Sequence, residues 1–185
     1  ANDPQLALAL ALQAQEKYQP VPAEVLRTFS SVVYAPGPSR RFEGHELSVF
    51  GVAFSSDGAY SVSAAVDGTI RIWDNATGEQ VRVIALPDDL YFHDVAVHPR
   101  DVSLAGAVSD GTVRLWDFTT GEAIAVYEGH TDEVFSVQYS PDGFFLLSAG
   151  LDRTARLWGL ASGGEVQRYE GHTGAIIRAG FSPDG

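Results

Sequence analysis

The 185-residue chain carries 24 acidic and 12 basic residues, a net charge of −12, with 45% hydrophobic residues and no cysteine. That hydrophobic share is enough for one packed core. The acidic balance argues against a partner held through phosphates, whose affinity comes from Lys and Arg, and favours a basic one. Without Cys there is no disulfide, no thiolate metal site and no Cys nucleophile, and no compartment is assigned.

Residues 1–36 differ in composition from the rest. Asp3 at a cap and Pro4 at the first helical position read as a helix start. Leu6 to Leu12 alternates with Ala at period 2, which alone suits a strand. Leu and Ala are strong helix formers, however, and the polar Gln13 to Lys17 continues a helical pattern, so a helix is expected. Pro20 and Pro22 end it. A second helix is expected from Pro22 to Tyr34, where Val25, Leu26, Phe29, Val32 and Val33 fall on one face. The pair reads as a short N-terminal α-helical hairpin. Its apolar faces are covered either by the rest of this chain or by an upstream helical domain. Ala35 to Ser39 is the linker.

From residue 37 onward the chain repeats. The tryptophans stand at 73, 116 and 158, 43 and 42 residues apart, and the Gly-His pairs begin at 44, 129 and 171. The Asp-Gly turns at 57–58, 142–143 and 184–185 keep the same period. Such a period marks a repeat array. Each unit reads as four short strands with turn residues between them. In the first unit these are 49–55, 59–66, 69–74 and 79–86. In the second they are 91–98, 102–109, 112–118 and 122–128, and in the third 134–140, 144–151, 154–160 and 165–170. The units span about 44–86, 87–128 and 129–170, and a fourth begins at 171–185 with one expected strand.

These motifs resemble the WD40 repeat family: Gly-His, Ser-Pro-Asp-Gly at 140–143 and 182–185, and Asp-Gly-Thr-Val-Arg-Leu-Trp-Asp at 110–117. The resemblance implies an all-β fold of WD40 β-propeller blades, three complete and one begun, after the helical hairpin. It makes Ser39–Glu43 an outer strand preceding the first Gly-His. Three blades and one strand do not close a ring of the usual 4–8 blades. The N-terminal part of a longer propeller is therefore expected, since the chain also contains no Met. Closure by several short chains is the alternative.

The resemblance also assigns a hydrogen-bonded structural tetrad to His45, Ser63, Asp67 and Trp73, and a second to His130, Ser148, Asp152 and Trp158. His172 would begin a further one. A Ser/His/Asp set invites a hydrolase reading. The set recurs once per blade, and no Gly-x-Ser-x-Gly elbow surrounds either Ser, so a structural role is expected. The second unit departs from the pattern. Pro87-Asp88 stands where Gly-His should be and Gly106 where the Ser should be, leaving Asp110 and Trp116. That blade is expected to be less rigid or to use Asp88 differently. His93 and His98, five residues apart on a strand, face opposite sides and read as packing residues, not metal ligands. The turn aspartates Asp57, Asp101, Asp142 and Asp184 lack clustered calcium ligands. No P-loop, dinucleotide or H-E-x-x-H motif is present. No catalytic residue, metal or cofactor is expected, and no run approaches the ~20 apolar residues of a spanning helix.

In the family, partners dock mostly on the face carrying the loops before the first strand and between the second and third. Here that face carries Glu46, Leu47, Asp88, Asp89, Tyr91, Asp132, Glu133 and Phe135. It is either a site for a basic peptide or protein segment, anchored at Leu47, Tyr91 and Phe135, or a solvated acidic rim. The expected function is a non-catalytic protein-interaction scaffold. The helical lead-in is similar to large bacterial signalling and regulatory proteins that carry a propeller. The alternative is a structural subunit of a larger complex with the helices as anchor.

Overall fold

Short runs rich in Val, Ile and aromatic residues, cut by Asp-Gly and Thr-Gly turns, leave the chain few options besides hairpins. A computed structural model describes residues 41–100 and 103–185 and shows the outcome. Strands β1 (Val49–Phe54), β2 (Tyr60–Ala65), β3 (Thr69–Asp74) and β4 (Gln80–Ala85) form the first sheet. The second holds β5 (Phe92–Val97), β6 (Ser103–Val108), β7 (Val113–Asp117) and β8 (Ala123–Tyr127). The third holds β9 (Val134–Tyr139), β10 (Phe145–Gly150), β11 (Ala155–Gly159) and β12 (Gly164–Tyr169). Within each sheet, neighbours in sequence pair antiparallel, as in Val52 opposite Ser63 and Ser63 opposite Arg71. Residues Phe42–Gly185 form one compact unit.

The sheets are blades stacked face to face, and the core lies between them. Val62, Ile70 and Ile72 of the first blade meet Phe92, Leu104 and Trp116 of the second. Ala107, Val113 and Tyr127 of the second meet Val134, Leu146 and Trp158 of the third. The middle blade is covered on both faces, and every residue of β6 is buried. Burial of this kind contributes ~1.5–3 kcal/mol per large aliphatic side chain. The first blade shows the reverse on one face. Val52 is 72% exposed, whereas Val95 and Val137 at the matching positions of β5 and β9 are each 3% exposed, since the preceding blade covers them. Close stacking also dictates residue size: a Cβ on Gly51 would lie 2.7 Å from the Asp94 Cα across the blade interface.

Two strand expectations change. Residues 171–185 form no strand. Their backbone donors go elsewhere: Ile176 N–H to the Gly150 carbonyl at 3.1 Å and Phe181 N–H to Gln138 Oε1 at 2.9 Å. A strand needs a ladder partner for these groups, and here side chains and a strand end take them. Of the outer strand expected at Ser39–Glu43, residues 41–43 are not in a strand. Phe42 instead packs on Trp73, ring centroids 5.3 Å apart. Residues 39–40 and the two helices expected within 1–34 lie outside the described residues, as does Asp101. Among the described residues no helix is long and apolar enough to cross a membrane, which says nothing of a β-barrel.

Candidate functional site

In the first and third blades a chain of hydrogen bonds runs from the sheet interior to the loop before the first strand. The Trp158 indole N–H donates to Ser148 Oγ at 2.8 Å, and Ser148 Oγ lies 2.8 Å from His130 Nε2. His130 Nδ1 lies 2.9 Å from Asp152 Oδ2. A carboxylate only accepts, so Nδ1 carries the ring proton and Nε2 accepts from the serine. The first blade repeats this order at 2.9, 2.7 and 2.9 Å through Trp73, Ser63, His45 and Asp67. The turns after β2 and β10 aim the aspartates: Asp67 also accepts from the Glu46 N–H at 3.0 Å and Asp152 from the Thr131 N–H at 3.2 Å. Each carboxylate thereby ties its own turn to the loop ahead of its blade.

The electrostatics follow from these donors. Burial pushes the Asp67 carboxyl up, but Thr69, the Glu46 N–H and His45 outweigh it and hold the pKa at about 2. Asp152 also sits at about 2, with burial opposed by His130 and Thr154. Loss of water around His130 moves its pKa below the ordinary value despite the Asp152 carboxylate. As a nucleophile Ser148 is badly placed: it is fully buried and its oxygen is already accepting the Trp158 proton. His172 is exposed.

The second blade fills the same space with an aromatic ring. Phe92 is fully buried and meets Trp116 edge to face, centroids 5.6 Å apart and planes at 70°. A Cβ at Gly106 would lie 2.7 Å from the Phe92 ring and 3.1 Å from Trp116, so only glycine leaves room there. Asp110, freed of a histidine, accepts from Thr112 Oγ1 at 2.6 Å and pairs with Arg114. Burial raises its pKa, but Thr112 and Arg114 bring it below the ordinary value. By repeat position Phe92 and Gly106 stand where the first unit has Val49 and Ser63 and the third has Val134 and Ser148, a joint change whose meaning only the packing shows. Asp88 lies apart from this blade interior, on the rim.

The rim residues fall into two groups. Glu46, Leu47, Asp88, Asp89 and Tyr91 line one cavity of about 460 Å³ between the loops of the first and second blades. Asp89 holds a left-handed backbone, φ +71°, which Asp tolerates better than most residues. Glu133 and Phe135 gather instead around His93, and Tyr91 joins both groups. Tyr91 OH donates to Glu133 at 3.2 Å, and the His93 ring meets Phe135 at 4.5 Å. Burial and then the Glu133 charge raise the Tyr91 pKa. Asp132 is exposed and caps the Glu133 N–H at 2.9 Å. His98 points elsewhere: its Nε2 donates to the Gly143 carbonyl of the third blade at 2.9 Å. Among the described residues no group of three or more His, Cys, Asp or Glu is placed to hold a metal ion.

Stacked four-stranded blades with a buried Trp-Ser-His-Asp chain define a β-propeller repeat protein. The WD domain, G-beta repeat pattern matches residues 37–74, 86–117 and 121–159, and the chain belongs to this WD40 family. It is similar to the small ribosomal subunit protein RACK1 of Candida albicans, 50% identical over 42 residues, 23% of this chain and 13% of that protein. It is also similar to pre-mRNA-processing factor 19 homolog 2 of Arabidopsis thaliana, 29% identical over 108 residues, 57% of this chain and 20% of that one. The matched stretch is thus a small part of these relatives' length. Among solved structures, U3-55K superposes with a TM-score of 0.69 at 24% identity, over 74% of this chain and 43% of that one. The RRP9 WD40 repeats do so with the same TM-score and identity, over 42% of their chain. Both show the fold.

Proposed function

We propose that this chain is a non-catalytic protein-interaction scaffold whose rim between the first and second blades receives a basic segment of a protein partner. The observation that carries the reading is the single cavity in which Glu46, Asp88 and Asp89 stand beside the apolar Leu47 and the half-buried Tyr91. Carboxylates at such a rim steer a basic partner, and an adjoining apolar wall supplies desolvated contact area. The Ser-His-Asp sets serve as ties between loop and sheet, which keep this rim in shape. Nucleic acid is a poor partner for a chain of net charge −12.

One named relative, a small ribosomal subunit protein, belongs by its name to a large assembly. That favours the second reading, a structural subunit that packs within a complex. A place in a bacterial signalling protein rests on the helical lead-in alone. The fungal and plant relatives named above lend it no support.

The test is fluorescence anisotropy with a labelled basic peptide at low and high salt. Binding should weaken about tenfold in the Asp88→Ser/Asp89→Ser variant and with added salt, as expected for steering by exposed charges. Unchanged affinity in that variant would sink the basic-segment reading and leave the packing subunit.

A further inference from the structure

Beside the rim cavity Phe50 of β1, Phe135 of β9 and Tyr91 gather around the His93 imidazole of β5, which together with Tyr91 holds the Glu133 carboxylate. Phe50 of β1 lies parallel to His93 of β5, centroids 6.0 Å apart and planes 11° apart. Tyr91 and Phe135 meet the same imidazole edge to face at 5.1 and 4.5 Å. Glu133 lies 2.8 Å from His93 Nε2 and 3.2 Å from the Tyr91 hydroxyl. A carboxylate only accepts, so both protons point at Glu133 and the imidazole is fixed with Nε2 protonated. The two donors occupy only part of the carboxylate's lone pairs. Among the described residues no arginine pairs with it. Phe50 is 53% exposed and the Glu133 side chain 31%, so a ring surface and a carboxylate both reach solvent.

We propose that this cluster is a recognition subsite for one arginine side chain of the partner segment. The inference rests on the reading that the rim docks a basic segment, and it names the residue that the segment presents. The guanidinium lies against the exposed Phe50 ring, and its N–H groups donate to the lone pairs of Glu133 that His93 and Tyr91 leave free. Arginine fits better than lysine because its cation is planar, weakly hydrated and forked: it stacks on a ring and engages a carboxylate through two donors at once. His93 and Tyr91 hold Glu133 in place before the partner arrives, so little order is lost on binding.

The experiment titrates the 185-residue chain with two labelled peptides alike in every position, flanked by lysines, with Arg or Lys at the centre. The arginine peptide should bind about tenfold tighter, the advantage of a stacked and forked contact over a point charge. Phe50→Leu and Glu133→Gln should each abolish that advantage, so that the two peptides bind each variant with equal affinity. Because Phe50 is exposed, its variant tests the site even if Glu133→Gln disturbs the local fold. Equal affinity of the two peptides, or a preference that survives both variants, overturns the arginine subsite while basic-segment docking stands. Binding of neither peptide overturns both.

Discussion

The second blade and its two neighbours solve one packing problem in opposite ways. In the first and third blades the space beside the tryptophan is polar, filled by Ser63 with His45 and by Ser148 with His130. In the second it is apolar, filled by Phe92 against Trp116 with Gly106 making room. The polar solution links loop to sheet through a continuous run of donors and acceptors. The aromatic solution forgoes that link and buries a larger ring. One strand framework accepts either, provided nothing polar is left unpaired. The choice also has a functional consequence. Where the histidine is absent, Pro87, Asp88 and Asp89 are free to form the wall of the acidic cavity.

Three changes probe this contrast. The largest effect belongs to Phe92→Ala, which empties a fully buried site between two blades. It should cost about 3–5 kcal/mol in denaturant unfolding of the whole chain. Next comes Ser148→Ala in the third blade. It removes one hydroxyl but strands two partners, Trp158 Nε1–H and His130 Nε2, and should cost about 2–4 kcal/mol. The same serine-to-alanine step has no counterpart in the second blade, where glycine already stands.

The smallest effect is a pH dependence that separates the two kinds of blade. Asp152 has a folded pKa of about 2 against an ordinary 3.8, so its contribution is complete above pH 4 and is lost as pH falls toward 2. His130 titrates below its ordinary 6.5, so the folded state resists its protonation and stability begins to decline as pH drops below 6.5. Unfolding midpoints from pH 7 to pH 2 should therefore fall in two stages. Asp152→Asn should shrink the acid stage, and an unaltered acid stage would speak against the assignment.

Much of this was readable from the sequence because a repeat states its own alignment. The tryptophan spacing and the Asp-Gly turns mark strands such as Thr69–Asp74, and the structure gives that strand the same bounds. The WD40 resemblance assigns His45, Ser63, Asp67 and Trp73 to one tetrad, and in the structure a run of hydrogen bonds passes through them. Compensation in the second blade was hidden, because a departure from pattern shows what is lost and not what fills the space. Phe92 reads as an ordinary strand aromatic until the Cβ clearance at Gly106 is measured. The rim was legible as charge but not as grouping. Which carboxylates share a cavity, and which are engaged with His93 and Tyr91, depends on loop paths such as the left-handed turn at Asp89. The expected strand at the start of the fourth unit failed because pairing, not the pattern of one segment, makes a strand.

The most direct test is a double-mutant cycle on Gly106→Ser and Phe92→Val, read by denaturant unfolding. Alone, Gly106→Ser should cost about 1–3 kcal/mol, since its Cβ meets the Phe92 ring. In the Phe92→Val background, with the small side chain found at Val49 and Val134, most of that cost should vanish, a coupling of about 1 kcal/mol or more. Additivity within about 0.5 kcal/mol would contradict the claim that Phe92 occupies the space the serine and histidine hold in the neighbouring blades.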